Sequence, residues 1–260
     1  MTVKLEVEHG QYTYPGGRKP VLKDISLRLE DRGIVTVLGK NGIGKTTLIK
    51  CLSGVLKWEK GRTLYHGKPC SSVKDMPGVA FVPQAHPLAY AYKVRDMVLM
   101  GRVRHMGLLS IPSRKDRAIT DETLEELGIA DLAERTTAQL SGGQLQLVFI
   151  ARALAGGPDV LIMDEPESHL DFKNQHAILR LVRRLVDEKG LSCIINTHYP
   201  DHALRISDKT LLLGQERSVF GVTSEVISEK NIRMYFDVEA RIGRYRENGK
   251  EYATFVVIDA

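Results

Sequence analysis

Gly39-Lys40-Asn41-Gly42-Ile43-Gly44-Lys45-Thr46 obeys the pattern G-x-x-x-x-G-K-[ST] at every position. Its glycines let the backbone curl until successive N–H groups face one anion. The apolar run Ile34-Val35-Thr36-Val37-Leu38 precedes it, and a helix is expected from about Lys45. The positive end of that helix adds to the attraction for phosphate. Lys45 can reach β and γ phosphates as a point charge. Thr46 can offer its hydroxyl to Mg²⁺. Gly39, Asn41, Gly42, Gly44, Lys45, Thr46 and Thr47 are therefore the expected nucleotide-binding set. A glycine-rich turn without a ligand is the competing reading, and the strand and helix on either side argue against it. The motif alone serves a GTPase, a small-molecule kinase or a helicase equally well.

Two further groups lie downstream. Leu140-Ser141-Gly142-Gly143-Gln144 opens a run with helical character. Its N–H and hydroxyl donors suit an anion, and Ser141 suits a helix cap equally well. Asp164-Glu165 closes the apolar strand Val160-Leu161-Ile162-Met163. Beside a phosphate loop, adjacent carboxylates read better as catalytic, with Asp164 placed to hold Mg²⁺, than as a solvated strand edge.

Taken in this order, the three groups resemble the ATPase cassette of ABC (ATP-binding cassette) proteins, whose signature is Leu-Ser-Gly-Gly-Gln. The resemblance covers the chain to about residue 214. It implies ATP and Mg²⁺ as cofactors, and an ATPase homodimer that sandwiches two nucleotides head to tail. Ser141, Gly142 and Gly143 would act in trans on the γ-phosphate held by the second copy. Asp164, with Thr46 and Gln84, would hold the metal. Glu165 would be the general base, with His198, Gln84 and Lys45 completing the catalytic set. His198, in Asn196-Thr197-His198, matches the family's switch histidine, and the other seven histidines read as surface or core. Asp171, in Ser168-His169-Leu170-Asp171, would cross the dimer interface and touch ATP. Tyr14 resembles the aromatic that stacks on adenine. Tyr12 is the alternative, being two residues away on one strand face. Lys40, Leu147 and Glu167 stand where many relatives have Pro, Arg and Thr.

Within that family, Val94-Arg95-Asp96-Met97-Val98-Leu99-Met100-Gly101-Arg102 is similar to a segment of the iron-siderophore, haem and cobalamin importer ATPases. Ser168-His169-Leu170-Asp171-Phe172 with Asn174-Gln175 points the same way, and molybdate importers share much of it. The resemblance implies multispanning permease partners, an external solute-binding protein, no nucleic acid, and a peripheral place on the cytoplasmic face of the membrane. A short permease helix would enter a groove near Gln84 and residues 86–105. An exporter ATPase or a soluble ABC protein is the alternative. DNA-repair members carry a long coiled coil between the phosphate loop and the signature, and no sustained heptads occur here. Translation members carry two cassettes per chain, and this one has a single set of motifs.

The elements that must position these residues are legible as an α/β pattern. The expected fold is a P-loop core with a mainly parallel sheet, an antiparallel N-terminal β subdomain and an inserted helical subdomain over 86–157. The whole of 1–260 reads as one ATPase domain, with a C-terminal extension over 215–260. Strands are expected at 3–8, 25–29, 34–38, 79–82, 160–163, 191–196 and 210–213. Helices are expected at 94–103, 114–127 with Ser113 as cap, from Gly142, and at 171–188. Ile178, Leu181, Val182 and Leu185 give the last of these its apolar stripe. Residues 238–245 and 251–258 could pair across Asn248-Gly249.

Composition excludes several classes. The chain has 260 residues, 43% hydrophobic and 27% charged, with a formal net charge of +5 and no run of basic residues that demands nucleic acid or lipid. No apolar stretch approaches the ~18 residues of a membrane span, and the start of the chain lacks the apolar core of a signal peptide. Cys51, Cys70 and Cys193 form no CxxC pair, and each reads as a small buried side chain in a reducing compartment.

Overall fold

The computed structural model describes residues 2–86, 88–107, 110–247 and 249–259. The chain opens with β1 (Val3–Tyr12) and β2 (Leu22–Glu30), an antiparallel pair. Leu5 and Val7 of β1 are buried, and Leu22, Ile25, Leu27 and Leu29 of β2 with them. The alternation expected of a half-buried strand is therefore present. The chain then makes β3 (Ile34–Leu38), α1 (Lys45–Leu52), β4 (Lys60–Tyr65), β5 (Lys68–Cys70) and β6 (Val79–Val82). An antiparallel sheet in the order β2-β1-β4-β5 covers one side of the molecule.

The helical stretch follows as α2 (Val94–Leu99), a 3₁₀ turn over Met100–His105, α3 (Arg114–Glu126) and α4 (Gly142–Ala155). The residue pattern predicts one helix over 94–103. The structure instead tightens it at Met100, where Gly101 passes so close to the Arg152 carbonyl of α4 that any Cβ would collide with it. Arg102 is buried here and pairs with buried Asp116 at 3.0 Å, while a second guanidinium nitrogen donates to the Ala155 carbonyl at 2.8 Å. Asp116 also accepts from the Ser113 N–H at 3.0 Å, and the Ser113 hydroxyl caps α3. The buried Arg102 side chain thus ties the 3₁₀ turn to α3 through the ion pair and to the end of α4 through the Ala155 carbonyl.

The chain returns through β7 (Val160–Asp164), α5 (Phe172–Lys189), β8 (Ser192–Asn196), α6 (Pro200–Ile206), β9 (Lys209–Leu212) and β10 (Val219–Val222). The central sheet runs β10-β9-β3-β8-β7-β6, parallel except for β10. Its central strands are buried on both faces, which explains their unbroken apolar runs. Val160 and Ile162 of β7 pack with Val35 and Val37 of β3 against α1 and the antiparallel sheet. Leu161 and Met163 pack the other way, against α2, α4 and α5. Six α5 side chains are buried, Ile178, Leu179, Leu181, Val182, Leu185 and Val186. Each such burial contributes about 1.5–3 kcal/mol. α5 stops where Gly190 turns to φ +69°.

The tail is built into the molecule. β10 belongs to the central sheet, and α7 (Thr223–Val226), α8 (Glu229–Phe236), β11 (Glu239–Glu247) and β12 (Lys250–Asp259) follow. Ile232, Tyr235 and Ala240 join Leu38 of β3 and Ala203 of α6 in a third apolar cluster. β11 and β12 pair from Glu239 opposite Asp259 to Glu247 opposite Lys250. Asn248 of the expected turn lies outside the described residues. The hairpin is pinned to α6 by Asp201, which accepts from the Phe255 N–H at 2.8 Å and the Thr254 hydroxyl at 3.2 Å. Cys51 and Cys193 are buried, and burial pushes each thiol up to about 12. Cys70, expected in the core, is only half-buried.

Candidate active site

β3 delivers the chain to the phosphate loop in the middle of the parallel sheet. Gly44 adopts φ +111°, and a Cβ there would stand 2.8 Å from Val21 Cγ1. Only glycine fits both the angle and the space. Gly39 is equally close-packed, 2.9 Å from Ile43 Cγ2 by the same measure. Lys45 folds back over the loop, its ammonium donating to the carbonyls of Gly39 at 2.9 Å and Lys40 at 3.2 Å. Burial lowers the Lys45 pKa, and the carboxylates of Glu165 and Asp164 oppose that shift.

A cavity of about 650 Å³ opens over this loop. Asn41, Gly42, Gly44, Lys45, Thr46, Thr47, Gln84, Glu165 and His198 all line it. The parallel register explains why residues so distant in sequence meet. β7 and β8 pair Asp164 with Asn196, so the segments following both strands leave the sheet side by side. The Glu165 N–H donates to the Asn196 carbonyl at 2.9 Å, and the residue is held at φ +45°, a costly angle for a non-glycine. Its carboxylate accepts from the Ser168 hydroxyl at 2.9 Å and lies 3.6 Å from His198 Nδ1.

Asp164 accepts from the Asn196 side-chain amide at 2.5 Å. Burial raises its pKa, as expected for a carboxylate taken from water, while the Asn196 hydrogen bond opposes the shift. Asp164 and Thr46 both line a second, apolar cavity of about 310 Å³. Hydroxyl, amide and carboxylate oxygens form a hard donor set. That chemistry fits Mg²⁺, which takes a few protein oxygens and completes its shell with water and phosphate.

The two tyrosines part company. β1 ends at Tyr12, which is buried in the core, so the shared strand face expected for Tyr12 and Tyr14 does not extend to Tyr14. Tyr14 lies in the following turn, 43% exposed, its hydroxyl 2.9 Å from Thr47 Oγ1 and its ring edge-on to Tyr12 at 5.1 Å. Of the pair, Tyr14 is the one with an accessible ring beside the phosphate loop.

Ser141, Gly142, Gly143 and Asp171 do not line the cavity of their own chain. Ser141 caps α4, accepting from the Gln144 N–H at 3.3 Å, while the Gln144 side chain accepts from the Ser141 N–H at 3.1 Å. Asp171 caps α5 through the Asn174 N–H at 2.8 Å. The two helix starts are neighbours, since a Cβ on Gly143 would stand 3.1 Å from Asn174 Cγ.

Ser168, His169 and Tyr199 also line the main cavity, and sequence reasoning did not single them out for the site. His169, counted among the surface or core histidines, sits at φ +62° with its ring 6.5 Å from His86. Their one sequence signal was adjacency, the first two following Glu165 and the third following His198.

A parallel sheet with a phosphate loop after a central strand, a strand-end carboxylate pair and an inserted helical stretch defines a P-loop nucleoside triphosphatase. Residues 22–168 match the ABC transporter family. The molybdate import ATP-binding protein MolC of Haemophilus influenzae is 33% identical over 91% of this chain and 89% of its own. The iron(3+)-hydroxamate import ATP-binding protein FhuC of Bacillus subtilis is 33% identical over 87% of this chain and 86% of its own. Among solved structures, one described as a metal-chelate type ABC transporter in an inward-facing conformation superposes with a TM-score of 0.90 at 31% identity, over 99% of this chain and 98% of its own. The chain belongs to the ABC transporter ATP-binding family, whose cassettes hydrolyse ATP to drive transport. No helix among the described residues is long and apolar enough to cross a membrane.

Proposed function

We propose that this protein is the ATPase of an importer for metal chelates, such as iron-siderophore, haem or cobalamin, or for an oxyanion such as molybdate. The observation that carries this reading is the similarity to a metal-chelate type transporter along nearly the whole chain, the C-terminal hairpin included. The names of MolC and FhuC support it.

In this reading the phosphate loop and Lys45 hold the ATP phosphates, and Tyr14 stacks on the adenine. Thr46, Asp164 and Gln84 hold Mg²⁺, which would neutralise charge on the phosphates. Glu165 takes the proton of the attacking water, and His198 reports the γ-phosphate to α6. Ser141, Gly142, Gly143 and Asp171 serve the nucleotide of a second copy. Their position outside their own chain's cavity supports a head-to-tail homodimer. ATP closes that dimer, and hydrolysis reopens it. Val55, Val73 and Phe81 are exposed around the apolar cavity on the strand leading to Gln84. With residues 86–105 they offer the surface for a short permease helix at the cytoplasmic face, and an external binding protein delivers the solute.

A pull-down of tagged protein from its native membranes in mild detergent, followed by mass spectrometry, tests the assignment. A multispanning permease among the captured proteins is expected. Recovery of ribosomes, DNA-repair factors or no membrane protein at all would overturn the importer reading and leave the ATPase site untouched.

A further inference from the structure

Glu167 follows Glu165 by two residues, and its side chain is fully buried. A carboxylate is costly to bury unless its oxygens are paired. Here the pairing is specific and incomplete. Oε1 accepts from the Thr197 hydroxyl and lies 3.4 Å from His202 Nδ1, and Oε2 has no partner among the described residues. The Thr197 oxygen accepts in turn from the Tyr199 N–H at 3.1 Å, and the Thr197 N–H donates to the Val37 carbonyl of β3 at 3.1 Å.

These contacts bracket His198. The residue before it is held by Glu167, and the residue after it is held by Thr197. The Tyr199 ring lies against both His198, with centroids 4.0 Å apart, and His202, at 4.6 Å. Glu167 grips both ends of this arrangement, through Thr197 and through His202. It does so from the same loop that holds Glu165, whose carboxylate stands 3.6 Å from His198 Nδ1. The distance between the base and the switch histidine is therefore set by a cross-brace beneath them, joining the β7–α5 loop to the β8–α6 loop.

We propose that Glu167 is a positioning residue for ATP hydrolysis, acting through Thr197 and His202 to hold His198 against Glu165. The proposal rests on the roles given above to Glu165 and His198. It makes Glu167, where resembling cassettes more often carry Thr, a working part of this site. Reactive geometry tolerates little displacement, and an ångström of misplacement can cost roughly a hundredfold in rate.

The test uses the full-length purified protein. Single-turnover ATP hydrolysis, nucleotide affinity and thermal melting are measured for Glu167→Ala, the isosteric Glu167→Gln and Thr197→Val, with Glu165→Gln and His198→Ala as references. Expected is a fall in turnover of roughly tenfold to a hundredfold in Glu167→Ala and Thr197→Val, with nucleotide affinity held within about twofold. Glu167→Gln keeps an oxygen for Thr197 and should recover part of the loss. Because Glu167 acts through His198, Glu167→Ala should add little to His198→Ala in the double variant. A merely structural residue would lower the melting temperature and add its full effect to that of His198→Ala. If Glu167→Gln and Thr197→Val both turn over at the wild-type rate, or the double variant is fully additive, the brace is wrong. If Glu165→Gln and His198→Ala themselves hydrolyse normally, the site reading beneath it has failed instead. Should Glu167→Ala not fold, Glu167→Gln and Thr197→Val carry the decision alone.

Discussion

Replacing Glu165 by Gln removes one negative charge and one proton acceptor, and almost nothing else. The two side chains match in size. The amide oxygen can still accept from the Ser168 hydroxyl, now 2.9 Å from the carboxylate. The backbone angle of +45° is imposed by the loop on either residue. Losing the charge relieves repulsion on Asp164, which Glu165 helps push upward after burial. It also removes one of the two carboxylates that sustain the buried Lys45 ammonium. These two effects oppose each other, so fold and ATP affinity should survive. Turnover should not. A positioned general base contributes about 10²–10⁴ in rate, or about 3–5 kcal/mol of barrier at ~1.4 kcal/mol per decade. The assay is single-turnover hydrolysis at saturating Mg–ATP, with nucleotide Kd, melting temperature and size-exclusion profile measured alongside. Expected are a rate at least ~100-fold down, affinity little changed, and a dimer that accumulates with ATP. A variant that binds ATP normally and hydrolyses it at the wild-type rate would refute the argument that this strained carboxylate is the base.

Tyr14→Ala should weaken ATP binding by roughly threefold to tenfold, the worth of one aromatic stacking contact. Tyr14→Phe should bind like the wild type, since the lost hydroxyl contact with Thr47 is partly solvated; fluorescence titration with ATP compares the two, and unchanged affinity in Tyr14→Ala would remove the tyrosine from the site. Arg102→Met breaks a buried ion pair and strands Asp116, which should cost about 3–5 kcal/mol in urea unfolding; a loss under ~1 kcal/mol would mean the pair is dispensable. The Ser113 hydroxyl, with Arg102 beside it, holds the Asp116 carboxyl at about 2, below the ordinary carboxylate value of about 3.9. A depressed folded-state value gives stability that is fully present above pH ~4 and is lost as pH falls toward about 2. Urea midpoints across that window should therefore fall more steeply for the wild type than for Asp116→Asn, and parallel slopes would contradict the assignment.

Much of this protein was legible wherever the determining interactions are local. The phosphate loop is one contiguous stretch, and its glycines are dictated by backbone geometry within a few residues. The caps at Ser113 and Ser141 each close a bond to a residue three positions on, whereas Asp171, expected inside the helix over 171–188, proves to be its cap. The buried strands β3, β7 and β8 announce themselves because both faces of a parallel sheet need apolar side chains. Short or half-polar elements escaped. β4 has three exposed residues followed by three buried ones, a pattern that carries no clear period. α6 has seven residues, too few for an apolar stripe to stand out. β10 and the packing of the tail depend on a cluster drawn from β3, α6 and α8, which no window of sequence contains.

The site divides in the same way. Residue types and spacing suffice to nominate Lys45, Thr46, Asp164 and Glu165, because the chemistry proposed for them is carried by motifs. Tertiary structure alone decided that Tyr14 is accessible and Tyr12 buried, since that depends on where β1 ends against its neighbours. It alone brought Ser168, His169 and Tyr199 to the cavity, and joined Glu167 to Thr197 and His202. Those partners lie about thirty residues apart. Nothing in either segment selects the other until parallel pairing of β7 with β8 places Asp164 beside Asn196 and sends the two loops out together. Local chemistry is written residue by residue, whereas the meeting of distant side chains is set by sheet register, which is a property of the packed chain.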